Sequence, residues 1–225
     1  MLFSGIEILF DGINFQRIIG GLWITIRIAL VSVAFSLFFG TLLGIVRCSN
    51  NIFISFVCKL YLEAVRIIPI IVWLFVFYYG LAQAFNVQWG AELTSVIVFT
   101  IWGTAEMSDL VRSAVTTLPT HQRQSAAALG LTNAQIYIYV IIPQALRRLI
   151  PSAINLTTRM IKTTPLVALI TVAEALKIGQ QVIEQSVFTN QYAPFWVYGF
   201  IFFAYFIICY PISILSRKLE NRWRQ

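Results

Sequence analysis

The stretch from Ile18 to Val46 carries a single charge, Arg27, and is otherwise built from apolar and small residues. It exceeds the roughly 20 residues that cross the hydrocarbon core of a bilayer, so it predicts a membrane-spanning helix. The rest of the chain agrees. Hydrophobic residues make up 59% of the 225 and charged residues 11%, against about 25% charged in a soluble domain. The net charge of +7 would suit a nucleic-acid binder, but the basic residues flank apolar segments, as membrane topology requires. The expected fold class is an all-α integral membrane protein with five transmembrane helices.

Residues 1–17 mix apolar side chains with Glu7, Asp11 and Arg17, a pattern for an external segment lying at the interface. The start lacks the basic run of a signal peptide, so targeting is expected to rely on the first span. Within that span Gly40 and Gly44 form a GxxxG, and Ser32 and Ser36 repeat the spacing; close helix packing is the expected use. The second span is expected over 59–85 and a short turn over 86–92. The third, over 93–118, carries Glu106, Asp109 and Arg112 on one face. The fourth is expected over 151–172, with Pro165 breaking it locally. A helix and loop outside the bilayer should cover 173–192, and Pro194 can open the fifth span. The membrane domain is thus 18–215, followed by a basic cytoplasmic tail, 216–225. Glu63 and Arg66, three apart on one helical face, are expected to form a structural ion pair.

Between the third and fourth spans lies the polar stretch PTHQRQSAAALGLTNAQIYIYVIIP, 119–143. Its alanine-rich part favours helix. Gly130 is placed to end it in a left-handed conformation, Thr132 and Gln135 have the spacing of a capping box, and Pro143 is expected to end or kink the second helix. Basic residues cluster on the connection after span one, on this long loop and in the tail. The loop and the C-terminus are therefore expected in the cytoplasm, with the N-terminus outside.

These residues resemble the EAA loop of permease subunits of ATP-binding-cassette importers. Gln124, Ser125 and Ala126 stand where the family has Glu-Ala-Ala, and Leu129, Gly130, Pro143 and Ala145 match it. Gln124 departs from the pattern by removing a charge. Two further stretches, YLEAVRIIP at Tyr61–Pro69 and PQALRRLIP at Pro143–Pro151, resemble the polar-amino-acid branch, similar to histidine, glutamine and arginine permeases. The resemblance implies a bacterial cytoplasmic (inner) membrane subunit that forms the pathway as a dimer with an identical or homologous permease. It implies that the loop couples to a separate ATPase, which holds ATP and Mg, and that an extracytoplasmic binding protein delivers a polar amino acid. No cofactor is implied for this chain.

The residues themselves are compatible with that role. The chain has no GxxxxGK[ST] phosphate loop, and five spans make a thin wall for a pathway, so partner subunits are expected. A zwitterionic substrate needs partners for both charges. Glu106 is a candidate for the ammonium, and Arg159 or Lys162, with Thr163 beside them, for the carboxylate; pairing between spans is the competing role. The single His121 is expected to be solvated. The three cysteines form no CxxC pair and imply neither a disulfide framework nor a metal site. An ion-coupled secondary carrier or another membrane scaffold is the alternative reading; an embedded enzyme is disfavoured by the lone histidine and the lack of an acid–metal cluster.

Overall fold

The computed structural model describes residues 6–49, 51–86, 89–186 and 190–223. All regular structure among them is helical. A short α1 (Glu7–Phe10) precedes α2 (Asn14–Val46), then come α3 (Ile52–Ile67), α4 (Ile70–Phe75), a π-helical stretch Val76–Leu81 and α5 (Ala82–Phe85). Next are α6 (Ala91–Thr116), α7 (Thr120–Ala128), α8 (Asn133–Gln135), a second π-helical stretch Ile136–Ile141 and α9 (Ile142–Thr163). A 3₁₀ stretch, Thr164–Ile170, leads to α10 (Ala175–Ser186) and α11 (Ala193–Trp223). By length and composition α2 and α11 can each cross a membrane, and two broken pairs, Ile52–Ile67 with Ile70–Phe85 and Asn133–Ile170 with Ala175–Ser186, pass the same test jointly. The 26-residue α6 is long enough, but its polar side chains lower its hydropathy.

Several boundaries differ from the sequence expectation, each for a local reason. The first long helix begins at Asn14 rather than Ile18; the Asn14 side-chain Nδ2 donates to the Ile8 carbonyl at 3.1 Å. The second expected span starts earlier, at Ile52, because Asn51 accepts from the Phe53 and Ile54 amides and caps the helix. It then breaks at Ile68, which is extended, as the residue before a proline tends to be. Pro143 does not end its helix. The chain stays helical through it into α9, and the π-helical stretch lies immediately before it. Pro165 behaves as expected: α-helix gives way to 3₁₀-helix there. Val87, Gln88 and residues 1–5, 187–189 and 224–225 of the segments discussed above lie outside the described residues.

The chain divides into two compact units. The first comprises 1–32, 69–99 and 158–211. Its core is Ile8, Leu9, Ile18, Val182, Ala193, Val197 and Ile201. Gly179 lets α10 approach α11 closely: a Cβ there would press on the Ile201 Cδ1 methyl at 2.4 Å and on Val197 Cγ1 at 3.2 Å. Gly21 lets α2 approach the Glu174–Ala175 backbone, where a Cβ would meet atoms at 2.9 Å. Arg27 pairs with Glu92, which gives the lone charge of the first span its partner. Arg17 donates to Gln181 and Gln185.

The second unit comprises 33–68, 100–157 and 212–225. One of its cores joins Met107, Val111 and Leu156, with Leu37, Trp102 and Leu110 against it. The expected small-residue packing occurs between α2 and α6: a Cβ on Gly40 would sit 2.5 Å from Met107, and one on Gly44 would sit 2.5 Å from Val111. Ser36 donates to the Thr100 carbonyl at 3.4 Å one turn earlier. The Tyr61 hydroxyl ties α3 to the Ile101 carbonyl at 2.6 Å.

Candidate functional site

The loop at 119–143 is a helix–turn–helix within the second unit. α7 ends in a Schellman motif: the Gly130 amide donates to the Ala127 carbonyl at 3.0 Å and the Leu131 amide to Ala126 at 3.3 Å. Gly130 has φ +83°, a left-handed value that glycine adopts without a Cβ penalty. The next helix opens on the capping box. The Thr132 amide donates to Gln135 Oε1 at 2.9 Å, and the Gln135 amide to Thr132 Oγ1 at 3.4 Å. The reversal thus satisfies its own backbone groups and needs no partner to hold its shape.

Its two faces differ. Ala126 is buried with Ala114, Leu118, Ile136, Ile141 and Ala145, and Leu131 packs against the same cluster. Gln144 donates to Gln122, and Arg123 lies over the Tyr137 ring at 5.7 Å. The other face carries Gln124, Ser125, Ala127, Ala128, Gly130 and Pro143, all exposed, and Leu129, which is 82% exposed. Ala126, grouped from sequence with the coupling residues, is therefore the loop's foot rather than part of the presented surface.

Behind the loop, Asp109 of α6 gathers two arginines. One oxygen accepts from Arg47 at 2.5 Å and the other from Arg66. Arg47 also donates to Ser108 at 3.0 Å, and its side chain is only 9% exposed. Burial pulls the Arg47 guanidinium below its usual pKa, but arginine starts so high that it stays a cation. The expected Glu63–Arg66 pair is not made. Arg66 reaches Asp109 on the neighbouring helix, and Glu63 pairs one turn back with Lys59 at 3.7 Å. An i,i+3 pair competes poorly with a carboxylate already fixed by a second arginine.

The pathway candidates fall in different units. Glu106 lines a cleft in the second unit with Arg47, Arg66, Asp109 and Arg112. Arg159, Lys162 and Thr163 end α9 in the first unit, on one helical face, with the Thr163 hydroxyl donating back to the Arg159 carbonyl at 2.9 Å. Sequence reasoning missed Glu174. Expected outside the bilayer, it is completely buried and accepts from the Leu176 and Lys177 amides at 2.9 and 2.8 Å, with the Tyr205 and Thr25 hydroxyls at 3.4 and 3.5 Å. The available signal was its position just before a helix, where an acidic N-cap is favoured.

Long apolar helices and a self-capped polar loop define a polytopic, all-helical membrane subunit. Residues 36–225 match the family described as binding-protein-dependent transport system inner membrane component. The chain is 25% identical over 217 residues to the probable glutamine ABC transporter permease protein GlnP of Bacillus subtilis, covering 95% of this chain and 98% of that protein. It is 29% identical to the L-cystine transport system permease protein TcyB of the same organism, covering 90% and 85%. The crystal structure of an amino acid ABC transporter with histidines superposes with a TM-score of 0.83 at 26% identity, covering 92% and 94%. The chain belongs to the family of binding-protein-dependent transport system inner membrane components. It is a multi-pass transport subunit of the inner membrane, and ATP hydrolysis is the work of a separate partner.

Proposed function

We propose that this chain forms the translocation pathway of an ATP-driven importer of polar amino acids, as a dimer with an identical or homologous permease. Residues 119–143 face the cytoplasm between the third and fourth of five spans, with the N-terminus outside. The observation that carries this reading is the exposed face of the loop. Gln124, Ser125, Leu129 and Gly130 stand at the motif positions on a turn that holds its own shape. The small side chains admit a second backbone closely, and Leu129 supplies the apolar contact. The partner ATPase binds ATP and Mg, and a binding protein delivers the amino acid from outside. Neutral Gln124 implies a contact made by amide hydrogen bonds rather than by an ion pair.

Gly130→Val tests the coupling role. A Cβ at Gly130 meets nothing within 4 Å, so the substitution acts through the backbone alone, where a left-handed β-branched residue costs roughly 1–2 kcal/mol. Uptake of labelled amino acid should fall by about tenfold or more, a factor worth ~1.4 kcal/mol, and co-purification of the ATPase should weaken. The chain itself should still reach the membrane at wild-type level. Unchanged uptake and ATPase recovery would remove the loop from the coupling path.

A further inference from the structure

A second polar cleft lies in the second unit. It is lined by Arg147, Arg148, Ser152 and Asn155 of α9 and by Glu220 and Trp223 near the end of α11. The two helices are fastened beside it, where Ser216 Oγ donates to the Pro151 carbonyl at 2.8 Å. Arg148 is partly engaged: its Nη1 donates to the Thr117 carbonyl and hydroxyl at 3.1 and 3.2 Å. Arg147 and Glu220 make no hydrogen bond or ion pair among the described residues. Among the described residues, this cleft therefore holds a guanidinium and a carboxylate that pair neither with each other nor with anything else.

The surroundings say what kind of guest carries both charges. On α9, Leu146 and Ile150 are exposed on the turns next to the arginines, and Leu215 is exposed on α11. Tryptophan, here Trp223, is the side chain typical of the membrane–water boundary. Polar headgroup chemistry thus sits beside surface suited to acyl chains. The geometry points to a binding site for a zwitterionic phospholipid, with the phosphate of a phosphoethanolamine headgroup on Arg147 and Arg148 and its ammonium on Glu220 beside the Trp223 ring. The planar guanidiniums suit a phosphate, basic pockets at helix ends take lipid headgroups, and an ammonium over an indole gains a cation–π contact. A phosphocholine headgroup has no N–H to donate to Glu220. A phosphoglycerol headgroup can offer that carboxylate neutral hydroxyls but no cation, a weaker partner than an ammonium.

The test is lipid retention by the full chain, purified from membranes with the subunits that co-purify and examined by native mass spectrometry. Dioleoyl-phosphatidylethanolamine, -phosphatidylcholine and -phosphatidylglycerol are added in turn. Wild type should hold the ethanolamine lipid about tenfold more tightly than either other, the size of one charged hydrogen bond. Arg147→Gln should weaken all three lipids. Glu220→Gln should abolish the preference for ethanolamine over glycerol while leaving phosphate-dependent retention in place. Both side chains are exposed, so the two variants keep the fold and differ in pattern. Equal retention of the three lipids by wild type, or no change in either variant, would overturn the site. Displacement of the lipid by soluble phosphoethanolamine at millimolar concentration would make the ligand a free phosphate ester and overturn the lipid assignment. The readout is retention rather than uptake, so it stands apart from the transport reading.

Discussion

Two reversals between helices, one in each unit, solve the same problem with opposite materials. Between α7 and α8 the chain turns left-handed at Gly130, φ +83°, and starts again on the Thr132–Gln135 box. Between the 3₁₀ stretch and α10 it turns left-handed at Thr171, φ +71°, and starts again on Glu174. The first reversal is exposed and made of residues that satisfy one another locally. The second places a β-branched residue where few are comfortable and caps its helix with a carboxylate removed from water. Such a junction persists only because its neighbours over-determine it. Here those neighbours are Gly21 and Thr25 on α2 and Tyr205 on α11.

That contrast predicts very different sensitivities. Glu174→Ala should have the largest effect. It leaves the Leu176 and Lys177 amides without their acceptor, and a buried donor left unsatisfied costs ~1–3 kcal/mol. Thermal unfolding of the solubilised protein should shift down clearly, and membrane yield should fall; a shift no larger than that of a surface variant would break the comparison. Thr132→Ala removes one exposed cap at about 1 kcal/mol. Its effect should be confined to faster hydrogen exchange at Ala134, Gln135 and Ile136, with the unfolding midpoint nearly unchanged. Thr171→Gly should be the mildest. It relieves a left-handed β-branched residue but loses the 3.3 Å contact between Thr171 and Tyr78 hydroxyls, so the stability read from thermal unfolding should change by less than ~1 kcal/mol in either direction. A large loss would show that Thr171 holds the junction through its hydroxyl rather than tolerating its backbone.

The same contrast explains what was legible in the sequence. Gly130, Thr132 and Gln135 could be read because the chemistry of a turn and a cap is set within a few residues. The GxxxG of α2 could be read because only small residues permit that approach, and α6 fills it with Met107 and Val111. Reading failed where distant residues decide the outcome. Arg66 had a sequence neighbour of the right sign in Glu63, yet it chose Asp109, and no local rule ranks those partners. Glu174 opens a stretch read as lying outside the bilayer because Lys177, Glu184 and several glutamines follow it, whereas its burial comes from α2 and α11. Pro143 could have ended or kinked its helix; the helix does not end there, and a π-helical stretch lies just before it.

Asp109 carries one more implication. Its carboxylate gives one oxygen to Arg47, at the close of α2, and the other to Arg66, at the close of α3, while standing on α6 itself. With both oxygens engaged, withdrawal of the α2 end would strand the largely buried Arg47, whereas Arg66, which is exposed, could turn to water. The two helix ends are therefore tethered to one point inside α6, so that a displacement of either is resisted at the same carboxylate.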